Sequence, residues 1–474
     1  MKMYINGGWV DSPKMSAVLS PYSGEVVDHV PDAMNEQAEQ ALAAAERGAV
    51  TMARLTAYER NQILMRAADI SSGRVEDFAR TVSAEEGKPL AEARGEAGRM
   101  PDLLRLCAFE GSQIRGETLP IDAQSGARGK IAFTQRVPCG VVLAISPFNY
   151  PLLLVLHKVG PALAAGNSVL LKPASSTPLS SLKLTEVLLE AGLPADGLQC
   201  ITGSGSRLGP LLCADPRVRK ISFTGSTEVG ERLAKVAGVK KLSLELGSNC
   251  ALVILPDADL DEVAQATVVG GYVNAGQVCI STQRILVHRR VYSDFLSALK
   301  PRVEAIKVGD PAAEDTKLSA MISVSEAERV TSWVDEAVQG GARVVTGGER
   351  QGAVVAPTIV AEVKPKMRLS SEEVFGPVVA VTPVETAEEG IALANCSKYG
   401  LGAGIFTRDI NAAWKFARDV QCGTIQINWT PLWRADLMPY GGFKGSGIGR
   451  EGPRYAIEEM TELKTVVFHG IGAS

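Results

Sequence analysis

Hydrophobic and polar positions change rhythm twice along the chain. Over 34–47 (MNEQAEQALAAAER) and 57–86, Ala, Leu, Glu and Arg recur at helical spacing, and this texture runs on through 86–117. The first stretch therefore predicts helices, the last ending near Gly116. Residues 128–137 (RGKIAFTQRV) alternate in part and predict a strand. After Cys139 short β-branched runs take over. Residues 140–146 (GVVLAIS) are almost continuously apolar, as a parallel strand covered on both faces must be. A loop with Pro147 and Pro151 follows, then a helix to about Ala165, a strand at 168–172 and a helix at 178–191. Short strands at 198–202, 219–223 and 241–245 come next, separated by helical segments. Strands and helices alternating at this pace predict βαβ units and a parallel sheet. A second alternating region begins near Asn249, with strands at 250–254, 284–288, 342–346, 377–381, 403–406 and 423–428 and a helix at 291–305. The terminal run 462–468 (ELKTVVF) stands alone, and a lone strand needs a sheet to join; a neighbouring subunit is a candidate.

Composition narrows the function classes. A chain of 474 residues has room for two to four units at roughly 100–200 residues each. The net charge of −4, with basic residues scattered, excludes a nucleic-acid surface. The apolar tract 151–156 (PLLLVL) is broken by His157 and Lys158, so no membrane span is expected. The N-terminus MKMYINGGWV lacks the regions of a secretory signal, and a cytoplasmic location is expected. The eight cysteines (Cys107, Cys139, Cys200, Cys213, Cys250, Cys279, Cys396 and Cys422) form no CxxC pair, and only four histidines are present. Zinc-type spacing is absent, and no metal is expected.

Four segments carry candidate chemistry. In 221–230 (ISFTGSTEVG) a strand runs into Gly225-Ser226 and a helix opens at Thr227; its free N–H groups could receive an anion, or Ser226 could simply cap the helix. In 243–249 (SLELGSN) Glu245 ends a buried strand, where a carboxylate is costly unless it is a base or has an ion-pair partner. In 276–282 (GQVCIST) Cys279 lies near an expected helix start, which would give it a low-pKa thiol; otherwise it is a small buried apolar residue. In 145–151 (ISPFNYP) Asn149 could donate to an oxyanion or serve a turn.

Taken in order, PFN at 147–149, LLKP at 170–173, FTGS at 223–226, LELG at 244–247, GQxC at 276–279 and EExFGP at 372–377 make the whole chain resemble the aldehyde dehydrogenase superfamily. The resemblance implies an α/β fold: two parallel-sheet α/β domains plus a small β oligomerisation extension. It places a Rossmann-like dinucleotide-binding domain at 1–117 and 138–247, a catalytic domain at 248–440, and oligomerisation strands at 118–137 and 455–474. A homodimer or homotetramer is expected.

The same resemblance implies roles. Cys279 attacks the aldehyde to give a thiohemiacetal whose oxyanion is held by Asn149 and the Cys279 N–H; hydride passes to the nicotinamide of NAD or NADP; Glu245 activates water to hydrolyse the thioester. Because Glu245 is present, a free acid is favoured over a coenzyme A thioester as product. Lys172 resembles the lysine that reaches the adenosine ribose, with Ile145, Ser146, Pro147, Phe148, Gly205, Gly209, Phe223, Thr224, Gly225, Ser226, Leu246 and Gly247 around the cofactor. Glu373 and Phe375 resemble the residues on the nicotinamide ribose. Ser175 stands where NAD-selective relatives often carry Glu, so NADP should be tolerated. The chain departs from the usual pattern at Ser248, in place of a second Gly, and at Phe148, in place of Trp; neither touches a reacting group.

For the substrate, Arg99, Tyr150, His157 and Arg434 resemble anion-binding positions of lactaldehyde, phosphonoacetaldehyde and non-phosphorylating glyceraldehyde-3-phosphate dehydrogenases. They point to a short hydrophilic or anionic aldehyde. Against a tight phosphate site, Val278 precedes the nucleophile where some of those relatives carry Arg. Both arginines could instead be structural, paired with Asp102 or Asp436. Trp429, with Trp433, could line the tunnel and favour an aliphatic or aromatic aldehyde, as in a broad-specificity or semialdehyde dehydrogenase. A Cys-dependent hydrolase is the alternative class, with His29, His157, His288 and His469 as its only possible bases.

Overall fold

The computed structural model describes residues 1–470. The first of its two large sheets has eight strands in the order Gly8–Val10, Met3–Ile5, Leu198–Cys200, Ser168–Lys172, Val141–Ile145, Val218–Thr224, Lys241–Glu245, Gly447–Ile448. The five central strands are parallel. Sequence order runs one way from Val141–Ile145 through 168–172 and 198–200, and the other way through 218–224 and 241–245. The order thus reverses beside Val141–Ile145, and a crevice opens there at the carboxyl ends of the strands.

The second sheet has seven strands in the order Arg343–Thr346, Thr358–Ala361, Val378–Val384, Thr282–His288, Cys250–Ile254, Gly402–Phe406, Thr424–Ile427, parallel except for the first. Both sheets are covered by helices, which is why strands such as 141–145 and 250–254 are buried at every position. The helix Leu153–Ala164 is buried all round, the mark of a core helix.

Three expectations need correction. The stretch 57–86 is two helices, Ala57–Ser72 and Val75–Glu86, broken at Gly73-Arg74. The next helix spans Leu90–Ser112, starting after Gly87 (φ 81°) and Pro89 and ending before Gly116. A Cβ on Gly116 would lie 1.7 Å from the Thr134 carbonyl, so Gly116 belongs to a close approach to the neighbouring strand. The terminal strand is not alone: Thr461–His469 pairs antiparallel with Lys130–Pro138 of its own chain over nine positions, with Thr118–Leu119 on the far edge. Residues 471–474 of the expected oligomerisation segment lie outside the described residues.

Candidate active site

The carboxyl ends of the first sheet face the amino ends of the second. Strand Lys241–Glu245 stops at Glu245, and four residues later Cys250 opens the second sheet. Cys279 reaches the same gap from a 3₁₀ turn, Val273–Gly276, just before strand Thr282–His288. That turn places Asn274 (φ 53°), Ala275 (φ 51°) and Gly276 (φ 69°) in the left-handed region. Two non-glycine residues there cost on the order of 1–3 kcal/mol each. The bend is held by Asn274: its N–H donates to Glu92 Oε2 (2.8 Å) and its Nδ2 to Glu86 Oε1 (2.9 Å) and the Asn149 carbonyl (3.1 Å).

Cys279 is half-buried, and its Sγ lies 2.8 Å from the Tyr440 hydroxyl. Burial pushes the thiol up to about 12, against the opposing hydrogen bond from Tyr440. The expectation of a low-pKa thiol at a helix start is therefore corrected. Cys279 lies in a turn leading into a strand, no helix N-terminus lowers its pKa, and the resting sulfur is a neutral thiol.

Asn149 is buried, and its Nδ2 donates to the Gln277 carbonyl (2.8 Å), on the loop that carries Cys279. Lys88 Nζ donates to the Asn149 carbonyl (2.8 Å) and pairs with Glu96 Oε2 (2.6 Å). Glu96 Oε1 accepts the N–H groups of Leu152 and Leu153 (3.0 Å each) at the start of helix 153–164. One buried ion pair thus fixes the Asn149 loop from below.

Glu245 is buried, and among the described residues neither carboxylate oxygen has a hydrogen-bond partner. Burial, then the neighbouring Glu451 carboxylate, push its acid constant well above the ordinary range. Glu451 is as deeply buried, but Lys158 Nζ (2.8 Å) and Arg434 Nη1 (3.0 Å) hold it down to about 2 against the effect of burial. Two adjacent carboxyl groups are thus set apart, one ionised and one poised to exchange a proton. Glu245 Oε1 abuts Gly441, where a Cβ would come within 2.9 Å, and Tyr440 next along the chain touches Cys279.

The crevice beside Val141–Ile145 is shaped for a dinucleotide. Ile145, Phe223 and Thr224 end neighbouring parallel strands. The buried Ser146 hydroxyl has no partner. Ser226 caps helix Thr227–Ala237, and a Cβ on Gly225 would strike the Phe223 ring at 2.5 Å. Lys172 is buried, its Nζ on the Pro173 carbonyl (2.8 Å) and Ser175 Oγ (3.3 Å), and burial lowers it to about 8. Gly205 opens the next helix, 3.6 Å from Lys172 Nζ to an added Cβ, and Gly209 lies one turn on against Leu233. Leu246 fills the space left by Gly230, and Gly247 leaves room for Glu373, whose Oε1 accepts the Ser248 N–H (2.8 Å). Burial raises Glu373 to about 7. Phe375 (φ 49°) meets Phe148, two residues after Ser146 and Pro147, edge to face at 5.9 Å between centroids. An ammonium, a carboxylate, a free hydroxyl and glycine-lined backbone converging on a switch point fit a dinucleotide.

The model of the aldehyde dehydrogenase family matches residues 9–466. The chain belongs to the aldehyde dehydrogenase family. It is 44% identical over 98% of both chains to 3-sulfolactaldehyde dehydrogenase of Priestia aryabhattai. It is 37% identical to lactaldehyde dehydrogenase of Methanococcus aeolicus, over 98% of this chain and 99% of that one. Its fold matches the crystal structure of NADP-dependent glyceraldehyde-3-phosphate dehydrogenase from Bacillus halodurans C-125 complexed with NADP, with a TM-score of 0.97, 35% identity and 99% of each chain covered. The α/β architecture and the aldehyde dehydrogenase reading are borne out.

In this aldehyde dehydrogenase the anion-binding candidates fall into one network. Arg434 donates to Glu451, approaches both ring nitrogens of His157 (3.2 and 3.3 Å) and stacks on the Tyr440 ring at 3.9 Å; its Nε–H has no partner among the described residues. Arg99 is spent on a bidentate pair with Asp436 (2.5 and 3.1 Å), and Asp436 also holds His157 Nε2 at 3.0 Å. Asp102 pairs with Arg105 instead. His157 is buried and pushed down to about 4, by burial and then Arg434, so it is neutral, and it does not bond Cys279. Tyr150 is clamped under Lys88 Nζ, 3.9 Å from its ring centroid. Val278 packs with Ile280, Leu401 and Tyr440 in an apolar cluster. Trp429 and Trp433 are exposed, at 40% and 51%.

The sequence reading missed Tyr440, Lys158, Glu451, Lys88 and Glu96. One signal was present: Lys158 interrupts an apolar run, and a lysine in a core helix must find a buried anion. Among the described residues no helix is long and apolar enough to cross a membrane.

Proposed function

We propose that the chain oxidises a short anionic aldehyde to its carboxylic acid with NAD+ or NADP+, using Cys279, Asn149 and Glu245. One observation carries the anionic preference. The Arg434 guanidinium lies on the ring of Tyr440, whose hydroxyl touches Cys279 Sγ, and among the described residues its Nε–H has no partner. A buried arginine with a free N–H at this place suits a sulfonate or phosphate group. The names of the relatives agree with this class.

The residues divide the work as follows. The Cys279 S–H breaks, its proton passing to water; Sγ bonds the carbonyl carbon, and the oxygen takes up the electron pair of the C=O π bond. Asn149 Nδ2 and the Cys279 N–H hold that oxyanion. Bound NAD(P)+ supplies the acceptor for the two electrons that leave the carbon. Glu245 takes a proton from water; the new C–O bond forms, the C–S bond breaks, and the Cys279 sulfur leaves with its electron pair. The first sheet and its helices serve as the cofactor unit and the second as the catalytic unit. Strands 130–138 and 461–469, which expose Ile131, Leu463, Val467 and Phe468, carry assembly into a dimer or tetramer in the cytoplasm.

Arg434→Ala tests the anion reading. The kcat/KM for an anionic aldehyde should fall roughly 10–150-fold more than for a neutral one of equal length, the cost of about 1.5–3 kcal/mol for a charge-assisted contact. Equal losses on both substrates sink it.

Lys172 makes cofactor choice depend on pH. Its ammonium, lowered to about 8 by burial, would face the adenosine ribose, where Ser175 leaves room for a 2′-phosphate. The preference for NADP+ over NAD+ should decline as pH rises through 8 and the ammonium is lost. A ratio of kcat/KM values that stays flat from pH 7 to pH 9 contradicts this role.

A further inference from the structure

We infer that Tyr440 recognises a hydroxyl on the carbon next to the aldehyde, which makes 2-hydroxyaldehydes the substrate class. The inference rests on the proposed attack by Cys279 and adds the group that reads the neighbouring carbon. Tyr440 is only 4% exposed, and among the described residues the one hydrogen-bond partner of its hydroxyl is Cys279 Sγ, at 2.8 Å. The side chain has no room to retreat. Its backbone exchanges hydrogen bonds with Glu451 (3.1 and 2.7 Å), the Arg434 guanidinium lies on its ring at 3.9 Å, and Val278, Ile280 and Leu401 pack around it.

Bond formation changes what this phenol meets. A thiol sulfur in reach of a phenol is an adequate partner, but the sulfur of a thiohemiacetal or thioester is a poor acceptor. A buried hydroxyl left without a partner is costly. Two substrate oxygens could replace the sulfur. The carbonyl oxygen is two bonds from Sγ and belongs to Asn149 Nδ2 and the Cys279 N–H. A hydroxyl on the second carbon is three bonds from Sγ, and in a staggered arrangement it lies about 3 Å from the sulfur. That is within the reach of a phenol already in contact with Sγ. The order along the crevice also matches: sulfur for the first carbon, phenol for the second, and the Arg434 guanidinium stacked on that phenol for an anionic group on the third.

The apolar wall around Tyr440 makes the contact selective, because a substrate lacking the hydroxyl offers the phenol nothing in place of the sulfur, and Val278, Ile280 and Leu401 offer no other partner. Sites built to hydrogen-bond a substrate hydroxyl reject the deoxy analogue strongly.

The test compares glyceraldehyde with 3-hydroxypropanal, which differ only in the second-carbon hydroxyl, with rates referred to the unhydrated aldehyde. The wild type should favour glyceraldehyde by roughly 10–100-fold in kcat/KM, and Tyr440→Phe should bring that ratio to within about threefold of one. Any effect of the lost phenol on the thiol itself acts on both substrates and cancels in the ratio. A wild-type ratio near one, or a ratio unmoved by Tyr440→Phe, overturns the inference while leaving the dehydrogenase reading intact. Failure to oxidise these two and glyceraldehyde 3-phosphate as well overturns both. If only the neutral pair is refused, or the variant does not fold, inhibition of the wild type decides: glycerate should bind at least about fivefold tighter than 3-hydroxypropanoate, and equal inhibition overturns the inference.

Discussion

Replacing Cys279 by Ala is expected to abolish turnover, by at least about 10⁴-fold in kcat, while NAD(P)+ still binds. The expectation rests on position. Asn149 donates to the carbonyl of Gln277, two residues before Cys279, so the Asn149 loop is tied to the loop that carries the sulfur. No other thiol can take over. Cys107, Cys200, Cys213, Cys250 and Cys422 are buried, with burial raising each thiol well above its ordinary value. Cys139 is half-buried and raised to about 11 by the same cause, and Cys396 is exposed beyond a helix of the second sheet. The structural cost of the change should be modest, because it leaves one phenol unpaired, a loss of about 1–3 kcal/mol. Cofactor titration by fluorescence and a thermal melt separate loss of chemistry from loss of fold. A Cys279→Ala enzyme that keeps a tenth of wild-type turnover refutes the assignment.

The alternation of short apolar strands with helices after residue 139 made the two parallel sheets legible, because strands covered on both faces must be apolar throughout. The early strands Met3–Ile5 and Gly8–Val10 were not legible. They are three residues long and join the first sheet only at its edge, through pairing of Tyr4 with Cys200 nearly two hundred residues away. Within the site, the segments around Cys279, Glu245 and Asn149 were legible as motifs, and the structure brings them to one gap between the sheets. The state of the thiol was not. A reading of neighbours along the chain put Cys279 near a helix start, whereas its environment is set by Tyr440, which is remote in sequence. The same holds for Arg99. Its position and charge suggested an anion site, but the loop bearing Asp436 folds back and accepts from its Nε and one Nη in a bidentate pair.

Glu245→Gln should convert steady turnover into a single burst. Acylation needs Cys279 and Asn149, so reduced cofactor should appear at about one equivalent per active site. Hydrolysis of the thioester then lacks its base and should slow by roughly 10²–10⁴-fold. Rapid-mixing absorbance of the reduced nicotinamide reads both phases, and normal turnover without a burst removes Glu245 from the role of base. The wild-type pH profile follows from the direction of its shift. Only the ionised carboxylate accepts a proton from water, and burial with Glu451 raises the pH at which it ionises. Deacylation should therefore climb with pH past the ordinary carboxylate range, a limb that Glu245→Gln lacks. The same shift has an opposite effect on stability. A folded state that binds this proton more tightly than the unfolded chain loses stability as pH rises from the ordinary carboxylate value toward the raised one. Glutamine, neutral at every pH, escapes that loss, so at pH 8 Glu245→Gln should melt at a higher temperature than the wild type, and a lower one would contradict the strained carboxylate. An unpaired buried acid that weakens the fold is the exchange of stability for activity expected where such a group serves as a general base.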